Sequence, residues 1–238
     1  MKKLVGVLVL AVGLPLSAWA TEGAPPPCVD ATLDWYLGLD NGCTIGDKIF
    51  SDFEYNNLVS GGASQVLPED IFVTVDDTAL NPGLTFQGGW LAVAAGQSSD
   101  IKLGFTITVL PGGGAIEDAS FSIPGSGAVG GGVVVGIEAI WLGCTGPCPN
   151  VAQLEVWNSP GTDNDQIFDH TTFEPVMLVT VEKDILLLAT AEGQINFATV
   201  SIIHQNFSEV PEPATLTLLG TGLLGLGGMI RRRRKASK

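Results

Sequence analysis

The sequence predicts an all-β protein, an antiparallel β-sandwich with the jelly roll as its candidate form. Three observations predict it. Short apolar runs rich in Val, Ile, Thr and Phe recur through residues 21–209, and such side chains fit a pleated, half-buried surface. Gly, Pro, Asn and Asp break these runs at short intervals, as tight turns require. Helix signals are scarce, and no repeat of fixed period points to a solenoid.

The elements follow in chain order. Ala31 to Leu39 has room for one short helical turn. Ile71 to Val75 reads as a strand that ends at the Asp76-Asp77 turn signal. Ile101 to Val109 gives the clearest pattern. Ile101, Leu103, Phe105, Ile107 and Val109 share one face, and Lys102, Thr106 and Thr108 share the other, the period of two of a half-buried strand. Val133 to Trp141, Val151 to Trp157, Val176 to Val181, Ile185 to Ala189 and Ile195 to Ile203 are further strands. Gly112 to Gly114, Gly130 to Gly132 and Asn158 to Gln166 read as loops. By length, residues 21–209 form one domain.

The two ends have a different character. Lys2 and Lys3 precede the apolar run Leu4 to Leu14. Pro15 follows, and Ala18 and Ala20 put small residues where a signal peptidase reads. Residues 1–20 are therefore expected to be a secretory signal cleaved after Ala20. At the other end, residues 214–230 carry no charge and stand near the lower length limit for a membrane-spanning helix, roughly 17–25 residues. Arg231, Arg232, Arg233, Arg234 and Lys235 follow directly and form a basic stop expected to stay cytoplasmic.

Charge is distributed unevenly. Of eleven basic residues, only Lys48, Lys102 and Lys183 fall within 21–213, against all 25 acidic residues, a net −22 for that stretch. A body so acidic excludes nucleic-acid binding, which needs basic surface to neutralise phosphate. It also excludes a basic patch that would hold anionic lipid. Divalent cations or a basic partner would offset the self-repulsion.

Val210-Pro211-Glu212-Pro213-Ala214-Thr215, the apolar span and the arginine cluster together resemble the PEP-CTERM sorting domain of Gram-negative bacteria. The resemblance covers residues 210–238. It implies processing by an exosortase, a membrane cysteine protease, near Pro211, Glu212 and Pro213, after a transient stay in the inner membrane. It also implies export to the cell surface or matrix in bacteria that make exopolysaccharide. The alternative is a permanent anchor through 214–230. Two further segments resemble such exported domains: Cys43 to Tyr55, read as a C-x-x-G-D-K-x-F-x-x-F opening, and Val181 to Ile185 with Ser201 to Ser208, read as closing strands. Lys48 and Lys183 sit in these segments beside Asp47 and Asp184, and a buried or cross-strand pairing of the charges is expected.

Cys28, Cys43, Cys144 and Cys148 all lie in the exported region. An even count in an oxidising compartment points to disulfides. Three connectivities are possible, and proximity favours Cys28–Cys43 and Cys144–Cys148. The spacings do not match a zinc site.

Catalytic signatures are sparse. The histidines are His170 and His204. Gly125-Ser126-Gly127 lacks the strand-to-helix context of a nucleophile elbow, and there is no phosphate loop or dinucleotide fingerprint. Acidic pairs for glycosidase chemistry are too numerous to carry information. Trp35, Trp90, Trp141 and Trp157 are candidates for a sugar-binding surface. The loop with Asp163, Asp165 and Asp169 is a candidate for Ca²⁺, although Ile167 and Phe168 break the EF-hand pattern. No other cofactor is expected. The expectation is a non-enzymatic structural or adhesive component linked to exopolysaccharide. The alternatives are a carbohydrate-binding module and a secreted carbohydrate-active enzyme.

Overall fold

The computed structural model describes residues 24–78, 80–161, 165–190 and 195–210. The signal segment 1–20, with Ala18 and Ala20, lies outside the described residues. So do the motif Pro211-Glu212-Pro213, the apolar segment 214–230, the basic tail 231–238 and Asp163.

Thirteen strands, one short α-helix and a 3-10 turn at Pro68–Asp70 make up the regular structure of the described residues. The strands and the α-helix are β1 (Ala31–Thr32), α1 (Leu33–Leu37), β2 (Cys43–Ile45), β3 (Lys48–Ser60), β4 (Phe72–Asp76), β5 (Gly83–Ala92), β6 (Gln97–Val109), β7 (Ile116–Ser122), β8 (Ser126–Val129), β9 (Gly132–Leu142), β10 (Val151–Asn158), β11 (Phe168–Val176), β12 (Leu178–Ala189) and β13 (Phe197–Asn206). They form two antiparallel sheets, ordered β1-β4-β5-β13-β7-β11 and β10-β9-β12-β6-β3-β2, with β8 also paired to β13.

The pairings are nested. The strand β5 pairs with β13, β6 with β12, β7 with β11 and β9 with β10. A long hairpin folded over in this way is the topology of a jelly roll. The strands β3 and β2 widen one sheet beyond β6, and β4 and β1 widen the other beyond β5.

Alternation fixes which side chains go inside. Ile101, Leu103, Phe105, Ile107 and Val109 are buried as the period of two predicts. Phe105 gathers Phe50, Phe53, Phe86 and Phe207 around it at centroid distances of 5.7 to 6.3 Å. Each such ring contributes roughly 1.5–3 kcal/mol when fully buried.

The structure extends the strand assignments. The runs 176–181 and 185–189 are not separate strands. From Leu178 onward they belong to the single strand β12, which carries Glu182, Lys183 and Asp184 through its middle, and Val176 instead ends β11. Three charges survive there because alternation sends Glu182 and Asp184 outward, and inward-facing Lys183 meets Glu138 of β9 at 2.8 Å. Lys183 thus pairs with Glu138 rather than with adjacent Asp184, which lies 3.8 Å from Lys102. Lys48 does use its neighbour: its Nζ lies 2.7 Å from Asp47 and 2.5 Å from Glu209. That contact ties the start of β3 to the last described residues.

Candidate functional site

On the outer face of the β3–β6–β12–β9 sheet, neighbouring strands line up their side chains in rows. Thr106, Thr180 and Trp141 form one row. Glu54, Gly104 and Glu182 form the next. Gly104 has no side chain, so the second row is a gap walled by two carboxylates. A cleft of ≈ 520 Å³ opens there, lined also by Asp52 and by Thr145, Gly146 and Pro147. A second cleft of ≈ 250 Å³ shares Glu54, Gly104 and Glu182 and runs on toward Asn56 and Lys102. The two form one channel along β6.

Three local devices build this channel. The register of β3 against β6 shifts between Ser51 and Glu54, and Asp52 takes a φ of 52°. Such a bulge re-aims the side chains that follow it, which brings Glu54 to the rim. The second device is the Cys144–Cys148 disulfide, which gathers Thr145 to Pro147 into a tight loop over one end. Thr180 anchors that loop by donating its hydroxyl to the Cys144 carbonyl at 3.0 Å, and its Oγ1 lies 3.2 Å from that of Thr106. Gly104 is the third. A Cβ there would stand 3.2 Å from the Val181 carbonyl oxygen and 3.8 Å from Glu54 Cβ, filling the floor.

The channel offers exposed carboxylates (Asp52, Glu54, Glu182), threonine hydroxyls and one partly exposed indole. Carboxylates accept strong hydrogen bonds from hydroxyl groups, and an indole gives a flat apolar face with a polar edge. Beyond its Lys102 end, burial and the nearby Asp184 carboxylate push the Asp100 carboxyl above its ordinary value.

Among the four tryptophans of the described residues, Trp141 lines the channel. Trp90 is buried and donates its indole N–H to the Tyr55 hydroxyl at 3.0 Å. Burial then raises Tyr55 to about 12, opposed in part by that bond. Trp35 packs edge-on to Tyr36 against the core, and Trp157 is partly buried on β10.

The other sequence candidates are dispersed. Both disulfides form as proximity favoured, Cys28–Cys43 and Cys144–Cys148. Asp165 accepts the Ser159 N–H at 3.0 Å. Asp169 accepts the Glu155 and His170 N–H groups, each at 2.9 Å. No group of three His, Cys, Asp or Glu gathers as metal ligands among the described residues. His204 Nδ1 lies 2.5 Å from the Thr85 hydroxyl, and His170 stacks on Phe168. Ser126 lies on β8, and the next element is the strand β9.

Sequence reasoning missed Gly104, Glu54 and Glu182 as a set. Alternation places Gly104 outward, but only the pairing of β3, β6 and β12 makes one row of them.

Residues 209–234 match the family model of the PEP-CTERM protein-sorting motif. No curated protein matches the chain. Among solved structures, TmCBM61 in complex with beta-1,4-galactotriose matches with 10% sequence identity and a TM-score of 0.29, over 64% of this chain and 88% of that one.

Proposed function

We propose that this PEP-CTERM protein, exported and processed by an exosortase, serves outside the cell as a non-enzymatic adhesive domain that grips exopolysaccharide through the channel along β6. The observation that carries the reading is the row Glu54–Gly104–Glu182 beside Trp141. An open channel with a glycine floor accepts an extended polymer rather than a small enclosed ligand. Glu54 and Glu182 accept sugar hydroxyls from both sides, and the Trp141 ring takes the apolar face of a pyranose. The strong negative charge of the body favours neutral or cation-bridged glycans over polyanions.

The non-enzymatic part of the proposal rests on exposure. Glycoside hydrolysis needs one carboxyl held protonated by a desolvated setting. The carboxylates that line this channel are open to solvent.

A glycan array combined with a hydrolysis screen tests the proposal. Binding to polysaccharide without release of reducing ends is the expected result. Turnover of any bound glycan would make the domain an enzyme, and absence of binding across the array would remove the adhesive role.

A further inference from the structure

Lys183, Glu138 and Gln205 take no part in the channel. All three are fully buried between the sheets. Lys183 and Glu138 face each other across β12 and β9, and Gln205 enters from β13 in the opposite sheet. The strand partner of Gln205 is Phe121, whose ring centroid lies 5.2 Å from Lys183 Nζ. The Phe105 ring centroid lies 5.4 Å from the same Nζ. The Gln205 amide adjoins the Glu138 carboxyl.

These groups are close but badly satisfied. Nζ lies 2.8 Å from Glu138 Oε2 as an ion pair. Five of the six buried side-chain polar atoms that lack a hydrogen-bond partner among the described residues belong to this trio: Lys183 Nζ, both Glu138 oxygens and both polar atoms of the Gln205 amide. Such atoms are normally paired. An amine, a primary amide and a carboxyl sealed together among aromatic rings constitute the reactants and the proton carrier of an amide exchange.

We propose that Lys183 and Gln205 are joined by an intramolecular isopeptide bond that ties the two sheets together, with Glu138 moving the proton. The Lys183 Nζ lone pair attacks Gln205 Cδ. The Nζ–Cδ bond forms and the Cδ–Nε2 bond breaks. Glu138 takes the proton that Nζ loses and gives one to Nε2, which leaves as ammonia. The product is a secondary amide with Glu138 beside it, and no oxidant, reductant or further reagent enters the balance.

Burial assists each partner. It lowers the basicity of Lys183 and raises the Glu138 carboxyl, in each case against the attraction of the other. The ion pair and the neutral amine–acid pair hold the same number of protons. The nucleophilic amine is therefore reached by one proton crossing the 2.8 Å gap, with no change of net charge. Complete burial of Gln205 keeps water from the acyl carbon. The bond converts a buried cluster of unsatisfied polar atoms into a covalent brace suited to a domain under load outside the cell.

Mass spectrometry of the exported, disulfide-reduced protein tests this. The intact mass is expected to fall short of the sequence mass of the processed chain by one ammonia. Between residues 21 and 230 trypsin has only Lys48, Lys102 and Lys183 to cut. A branched Lys183 resists it, so the 103–183 peptide is expected to be missing and a Lys183–Gln205 branch found by fragmentation. Full sequence mass with an intact 103–183 peptide overturns the proposal. Loss of one water with a Lys183–Glu138 branch overturns the assigned acceptor. In Glu138→Gln, which keeps the side-chain volume, the branch is expected to vanish, and a variant that still forms it removes Glu138 from the mechanism.

Discussion

Gly104 shows how much one side chain's absence shapes this surface. It stands between Glu54 and Glu182 in the strand rows. Gly104→Val places a branched side chain on the floor of the channel without touching the core. The variant is expected to fold and to lose at least tenfold in glycan affinity, about 1.4 kcal/mol, read by titration calorimetry. Lys48 makes the opposite kind of contribution. Its ammonium is fully buried between Asp47 and Glu209, and a Cβ at Gly113 or Gly114 would collide with one of those carboxylates. Lys48→Met leaves two carboxylates facing each other, and a loss of about 3–5 kcal/mol in urea denaturation is expected, as for other broken buried pairs. Burial alone would raise the Asp47 carboxyl, but the Lys48 hydrogen bond, the Gly114 N–H and the Lys48 charge together hold it below its ordinary value. A depressed carboxylate stabilises the fold above its ordinary pKa, and that contribution is lost as pH falls through the depressed value. The urea midpoint is therefore expected to drop on acidification below about pH 4, and Asp47→Asn is expected to flatten that drop. The proximity of Lys48 to Asp47 was legible in sequence. Its second partner Glu209, 161 residues away, was not.

Among the elements, the Cys144–Cys148 loop and β12 respond to different forces. The disulfide closes a loop with a sequence separation of 4, against 15 for Cys28–Cys43. Loop-entropy reasoning gives about 2 kcal/mol for the shorter closure and about 3 kcal/mol for the longer. Cys144→Ser with Cys148→Ser is expected to cost the smaller of these amounts and to weaken glycan binding, because Thr145 to Pro147 cover one end of the channel. Cys28→Ser with Cys43→Ser is expected to lower the melting temperature more and to leave binding intact. Thermal melts and titrations of the two double variants check both statements. The strand β6 was legible because its alternation is clean. The strand β12 was read as two fragments because a charged triplet interrupts the apolar pattern, and only Glu138 on β9 explains why Lys183 is tolerated inside. The strands β5, β7 and β11 escaped because Gly, Thr, Ser and Asp dilute their apolar positions. Nested pairing, such as β5 with β13, has no local signature, so the jelly roll was a candidate form and its connectivity became visible only in the sheets.

At the scale of the whole molecule, the chain combines an acidic β-sandwich with a terminal sorting motif. The motif was fully legible in sequence, because recognition by a processing enzyme depends on a short contiguous stretch. The last described residues before the motif are clasped to the body. Glu209 is held by Lys48, and the Val210 N–H donates to the Ala115 carbonyl at 2.9 Å. Intact mass of the exported protein is expected to lack residues 1–20 and the segment beyond Pro213, and Glu212→Ala is expected to hold the protein in the membrane fraction. Removal of the tail leaves the acidic body without most of its basic residues, and self-repulsion then favours a solvated, spread arrangement over aggregation. The central claim is that the channel beside Trp141 holds glycan. Titration of exopolysaccharide purified from the producing cells into wild-type protein and into Trp141→Ala tests it most directly. Saturable binding by the wild type, weakened at least tenfold in Trp141→Ala, is the predicted result, and equal binding by the two proteins, or none by the wild type, would contradict it.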